Sequence, residues 1–195
     1  LLDDSVETSE IDYADYSDEV KALIDACGRT TKFERCVELA ASLAQQNKPV
    51  IIWCMFVGSI QNLSEALEEM GIRTRCIYGE VPLEERQQIL ADFRCGNIQV
   101  LLTNPHTLAE PVSLPRVCHD AIYFEYSYNL VHLLQSKDRI HRLGLPDDQY
   151  TQYYYHQLSY QTEDGSWSLG EAVYNRLKEK EKIMLDAIDN HVLEA

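Results

Sequence analysis

The sequence predicts an α/β domain on a mainly parallel central sheet, with helices on both faces and a long C-terminal helix. Three observations predict it. Apolar runs such as Val50-Ile51-Ile52-Trp53-Cys54-Met55-Phe56-Val57 and Ile98–Thr103 lack polar alternation, as strands buried on both faces do. Amphipathic segments of roughly ten to fifteen residues separate them, long enough to cross between parallel strands. The 195 residues, 45% of them apolar, suffice for one well-filled core.

Taken in order, Leu1–Asp25 carries nine carboxylates and one lysine and reads as a solvated lead-in. From Lys32, helical spacing of Phe33, Val37, Leu39, Ala40 and Leu43 leads to the Asn47-Lys48-Pro49 turn and the first strand. Ile60, Leu63, Ala66, Leu67 and Met70 share a helical face that Gly71 ends. There follow a strand at Arg73–Tyr78, a helix at Leu83–Arg94 before Gly96, the strand Ile98–Thr103 and a short Pro-initiated segment at Asn104–Leu108. A strand at Ala121–Glu125, a helix from Leu130 to about His141 and a strand at Tyr150–Leu158 continue the alternation. The tail reads as one helix, Leu169–Val192, with Leu169, Val173, Leu177, Met184, Ile188 and Val192 on one stripe. The expected division is a lead-in over 1–31, the α/β lobe over 32–160 and a bracing helix over 161–195.

Seventeen Lys and Arg against 32 Asp and Glu leave a net charge of −15, so nucleic acid is not held by the general field of this chain and any such contact is local or shared. The six cysteines form no C-x-x-C pair and read as reduced thiols of an intracellular, cytoplasmic protein. No apolar run reaches the ~18–20 residues of a membrane span, so no membrane partner is expected. The start at Leu1-Leu2, without Met, is expected of a piece of a longer polypeptide. No phosphate loop of the form G-x-x-x-x-G-K-[ST] and no Asp-Glu pair after a strand occurs, so this chain is not expected to hydrolyse a nucleoside triphosphate by itself. G-x-G-x-x-G, G-x-S-x-G and H-E-x-x-H are absent too. Cys118-His119 lacks further ligands at metal spacing.

The informative stretch is Gln135-Ser136-Lys137-Asp138-Arg139-Ile140-His141-Arg142-Leu143-Gly144. Gln135, Arg139 and Arg142 fall on one stripe of a helix. Two guanidiniums emerging together suit a transferring phosphoryl group, since each is a planar fork of donors that stays charged. For an isolated helix the alternative is an Asp138–Arg142 pair with Arg139 in solvent.

QSKDRIHRLG resembles the sixth motif of superfamily-two helicases, in the Q-x-x-x-R-x-H-R-x-G form of the Swi/Snf-related translocating ATPases. Pro49–Phe56 resembles the fourth motif. Tyr78-Gly79-Glu80 with Glu84-Glu85-Arg86 and Phe93 resembles the D-G…E-R…F segment, Leu101–Leu114 stands where the fifth motif belongs, and Tyr123–Asn129 resembles the strand and aromatic-Asn element before the sixth. In the fifth, Thr107-Leu108-Ala109-Glu110-Pro111 replaces the family's A-G-G-x-G and Ser113 its Asn, as in a diverged branch of bacterial or phage-like context.

The resemblance implies a RecA-like C-terminal lobe that completes an ATP site on a missing N-terminal RecA-like lobe of the same polypeptide. That lobe would hold ATP and Mg2+, and nothing would bind this fragment alone. Arg142 would be the arginine finger and Arg139 its companion, with Gln135 and Glu110 on the nucleotide and no metal ligand here. Phe56, Gly79, Thr103, Asn104 and Thr107 would face nucleic acid, expected to be double-stranded DNA. Two rivals stay open: a lobe kept as a protein-interaction module after loss of the motor, and an unrelated doubly wound domain. His141 reads as a surface or supporting residue, Trp53 as core, and Tyr150, Tyr153, Tyr154, Tyr155 and Tyr160 as a buried β-strand before a base-stacking surface.

Overall fold

The structure, a computed structural model, describes residues 29–108, 114, 117–141, 151–162 and 165–192. The chain divides into Leu1–Thr31 and Lys32–Ala195. The acidic lead-in lies almost wholly outside the described residues.

In the larger unit, helix α1 (Thr31–Gln45) precedes strand β1 (Val50–Trp53), and α2 (Val57–Glu69) leads to β2 (Thr74–Ile77). Helix α3 (Leu83–Arg94) leads to β3 (Val100–Thr103), then β4 (Asp120–Tyr123), α4 (Leu130–Asp138) and β5 (Gln152–Tyr155). A hairpin, β6 (Tyr160–Thr162) and β7 (Gly165–Trp167), precedes α5 (Leu169–Val192). The five main strands form one sheet in the order β2-β3-β1-β4-β5, every neighbouring pair parallel. This is the predicted fold class.

The register explains why the sheet is buried twice. Alternate β1 residues point to opposite faces. Val50 and Ile52 join Val100, Leu102 and Ile122 against α1 and α2, through Cys36, Ala40, Leu43, Ile60, Leu63 and Leu67. Ile51 and Trp53 join Leu101, Ala121 and Tyr123 against Ile89 and Phe93 of α3, Leu133 of α4 and Val173 and Leu177 of α5.

Helices α2 and α3 stop where their glycines allow. Gly71 and Gly96 take φ of 75° and 78°, the left-handed region that costs an L side chain energy. In α2 the N–H of Gly71 donates to Glu68 O at 2.8 Å and that of Ile72 to Leu67 O at 3.0 Å, closing the helix as a Schellman turn.

Three expectations change. Helix α4 ends at Asp138, short of His141, because its last turn tightens: Arg139 N donates to Ser136 O and Ile140 N to Lys137 O, while Ile140 is carried into the core. The strand expected over Tyr150–Leu158 shortens to Gln152–Tyr155, only partly buried as the edge of the sheet, and exposed Tyr160 belongs to the unpredicted hairpin, opposite Trp167. Tyr150 lies outside the described residues. The α5 stripe is covered at Val173 and Leu177 but open at Leu169 and Ile188. Among the described residues no helix is long and apolar enough to cross a membrane.

Candidate functional site

Parallel registers bring Ile77, Thr103, Trp53, Tyr123 and Tyr155 to one level, so the segments after them gather at the carboxyl edge of the sheet. In open α/β sheets ligands approach that edge. Phe56, Gly79, Thr103, Asn104 and Thr107 all fall at or just beyond these strand ends.

Phe56 is 51% exposed and caps the N-terminus of α2. The Glu125 carboxylate, from the segment after β4, fills that terminus: Oε2 accepts the N–H groups of Met55 at 3.0 Å and Phe56 at 3.1 Å, and Oε1 accepts the Ser59 hydroxyl at 2.7 Å. An anion at the positive end of a helix is favourable. Here the protein supplies its own.

Beyond β2, Arg86 holds the turn by donating to the carbonyls of Val81 (2.7 Å), Gly79 (2.9 Å) and Tyr78 (3.3 Å). A Cβ on Gly79 would meet nothing within 4 Å, so no packing among the described residues demands glycine there. Beyond β3, Thr103 and Asn104 are buried. The Asn104 amide donates to Met55 O at 3.3 Å, and its oxygen accepts the Thr107 hydroxyl at 3.0 Å. Expected to offer donors to phosphate, Asn104 and Thr107 tie the β3 exit to the β1 exit.

Helix α4 starts at Asn129, whose Oδ1 accepts from Val131 N and His132 N. Gln135 is exposed and Arg139 half-buried at the helix end, whereas Arg142 and Glu110 lie outside the described residues. Three contacts, none legible in the motif, fix this helix end. Tyr123 and Ser136 share a buried hydroxyl hydrogen bond of 2.7 Å. The Tyr153 hydroxyl donates to Lys137 O at 3.2 Å, and Leu114 N donates to Arg139 O at 2.9 Å. Burial pushes the Tyr123 hydroxyl far above its ordinary pKa, so it stays a neutral donor and acceptor.

The His106 and His132 rings lie 6.0 Å apart between centroids on the same edge, and burial, with the charge of His132 second, lowers the His106 pKa. Burial pushes the Cys118 thiol up to about 12; it donates to Pro49 O and Asp120 O as a packed structural thiol. The described donors at these strand ends, the Arg86 guanidinium, the Asn104 amide and the Thr107 and Ser59 hydroxyls, are each engaged within the protein.

The lobe is thus a parallel α/β unit whose carboxyl strand ends carry the loops of Phe56, Gly79 and Asn104 and whose helix α4 ends on Arg139 as its C-cap. The helicase conserved C-terminal domain matches residues 31–144, and the chain belongs to that family. It is 22% identical over 122 residues, 63% of its length, to the ATP-dependent RNA helicase DBP3 of Chaetomium globosum, spanning 20% of that protein. It is 36% identical over 88 residues, 44% of its length, to the UvrABC system protein B of Synechococcus sp. (strain JA-3-3Ab), spanning 12% of that protein. The crystal structure of the C-terminal part of the Fun30 ATPase domain matches with a TM-score of 0.62 at 18% identity, over 76% of this chain and 46% of that one. The fold is therefore the RecA-like fold of helicase C-terminal lobes.

Proposed function

We propose that the chain is the second motor lobe of an ATP-dependent nucleic-acid helicase or translocase of the Swi/Snf-like kind. The observation that carries this reading is the α4 terminus, fastened through Ser136, Lys137 and Arg139 to β4, β5 and Leu114 inside a helicase C-terminal match. A guanidinium on such a rigid end is preorganised, which is what stabilising charge on a transferring phosphoryl group requires.

ATP and Mg2+ would be held mainly by an N-terminal lobe of the same polypeptide, ATP supplying the phosphoanhydride to be cleaved. Arg142 and Arg139 would meet the phosphates, with Gln135 and Glu110 beside the nucleotide. Phe56, Gly79 and Thr107 would lie toward the nucleic-acid backbone, with duplex DNA as the proposed track. Thr103 and Asn104, both buried, would shape that loop from within. Alternation between open and closed lobes would convert nucleotide state into stepping. In this division residues 32–160 form the motor lobe and 161–195 a brace.

One observation favours a second reading, a lobe retained as a protein-interaction module: Glu125 fills the α2 N-terminus with a carboxylate where a phosphate could otherwise bind. The test is ATP turnover by a polypeptide extended N-terminally through the first lobe, with and without duplex DNA, single-stranded DNA and RNA. Stimulated turnover, lost by at least about 10³-fold in Arg142→Ala as for an arginine finger, supports the motor. No turnover from a folded protein supports the interaction module, and turnover indifferent to Arg142→Ala removes the finger assignment.

A further inference from the structure

Helix α5 is fastened to the arginine-bearing side of the lobe along its first half. The Tyr126 hydroxyl donates to Gly170 O at 2.8 Å, and Gln157 Nε2 donates to that hydroxyl at 3.2 Å. One turn on, the rings of Tyr174 and Tyr155 pack at 4.7 Å, and Val173 and Leu177 are buried.

A further fastening on this face is ionic. Glu181 Oε1 meets Lys137 Nζ at 3.4 Å, with 18% and 20% of the lysine and glutamate side chains exposed, and Glu181 Oε2 meets Lys178 Nζ at 2.8 Å. Lys137 lies in the last turn of α4, one residue before its end at Asp138. Its carbonyl accepts from Ile140 N at 3.2 Å, His141 N at 3.0 Å and the Tyr153 hydroxyl at 3.2 Å, and its ammonium lies 5.9 Å from the centre of the Tyr153 ring. Beyond Glu181, Met184 is partly covered, whereas Ile183 is 67% exposed and Leu185 and Ile188 about half.

We propose that Glu181 is a positioning residue for phosphoryl transfer, acting through Lys137 to set where the α4 terminus holds Arg139 and the chain leading to Arg142. The inference rests on the motor-lobe reading and deepens it. Glu181→Gln keeps the side chain's shape and an acceptor oxygen for Lys137, so its expected cost to stability is small. Orientation is far more sensitive, because a displacement of about 1 Å of a catalytic group can cost about 10²-fold in rate. The C-terminal helix is thereby part of the machinery that aims the arginines, and a force on its exposed distal half would reach them through Glu181.

The experiment compares Glu181→Gln, Lys137→Met and the double variant in the polypeptide extended through the first lobe. It measures kcat and KM for ATP with nucleic acid present and the thermal midpoint of each protein; Arg176→Met, which removes the exposed Arg176–Glu179 pair on the same helix, is the control. The expected result is a loss of about tenfold in kcat for Glu181→Gln, within the range that misplacement produces. KM and the midpoint stay nearly unchanged, the double variant is no worse than either single one, and the control is as active as the parent. An unchanged kcat, losses that multiply in the double variant, or a loss that follows the thermal midpoint overturns the proposal. If the parent shows no turnover the motor-lobe reading falls and takes this inference with it, whereas an active parent with a normal Glu181→Gln overturns the inference alone.

Discussion

The two faces of the sheet are equally buried and differently built. The α1–α2 face is aliphatic and cysteine-rich, with Val50, Ile52, Val100, Leu102 and Ile122 packed on Ala40, Leu43, Ile60 and Leu63. The α3–α4–α5 face is threaded with polar-tipped aromatics: Trp53 stacks on Tyr123, Tyr123 on Tyr155 at 4.8 Å, and Tyr155 packs on Tyr174. The buried polar atoms without partners among the described residues, Trp53 Nε1 and Tyr155 Oη, also belong to that second face. Burying a hydroxyl is costly unless it is bonded. Hydroxyl-bearing rings therefore make sense where they hold something, and here Tyr123 and Tyr153 hold α4. One face is packed by aliphatic side chains; the other also fastens α4 through two tyrosine hydroxyls.

The largest expected effect breaks the first face. Ile52 is fully buried between α1 and α2, and Ile52→Ala should destabilise the chain by about 2–5 kcal/mol, the usual cost of such a truncation. Chemical unfolding of the 195-residue chain measures it. A cost below about 1 kcal/mol would mean that the aliphatic face tolerates voids and does not anchor the fold.

A smaller effect sharpens the contrast. Tyr123→Phe keeps the stacked ring and removes only the 2.7 Å bond to Ser136, whose hydroxyl still donates to Leu133 O. The expected cost is about 1 kcal/mol, or about 2–4 °C in the unfolding midpoint for a chain of this size. In the extended enzyme, kcat should fall by more than this stability loss explains. If turnover follows stability alone, Tyr123 is only core and the two faces differ in composition without differing in role.

How far the sequence went depends on the range of the interaction that decides each feature. Local signals located β1, the helix Leu83–Arg94 and the helix Leu169–Val192, because periodicity and Gly71 and Gly96 act within a few residues. The hairpin is hard to read locally: Asp164-Gly165 is a hairpin signal, but the tyrosine-rich run before it has the pattern of one strand. At the site, motif order placed Phe56, Gly79 and Thr103 on one edge, but no spacing rule links Glu125 to Met55 or Lys137 to Glu181 across 70 and 44 residues. The same limit applies to Asn104: local sequence leaves its amide open to phosphate, whereas its partner is the Met55 carbonyl 49 residues away.

The smallest expected effect on stability tests the edge that both faces serve. Gly79 does not adopt the left-handed backbone, and a Cβ there meets nothing within 4 Å, so Gly79→Ala should change folding stability by less than about 0.5 kcal/mol. Arg86 bonds the carbonyl of residue 79, a contact that alanine preserves. A methyl group that nothing in the protein feels can be felt only by what binds there. If the nucleic-acid backbone passes over this turn, Gly79→Ala in the extended enzyme should weaken duplex binding by about threefold, equivalent to ~0.65 kcal/mol, at an unchanged melting temperature. Unaltered affinity would move the grip away from the β2 exit and leave the loop after β3, where the Thr107 hydroxyl already serves Asn104, to account for it alone. That would weaken the case for a nucleic-acid track and strengthen the one for an interaction module, because the Asn104 amide and Thr107 hydroxyl in that loop are already used by the protein on itself.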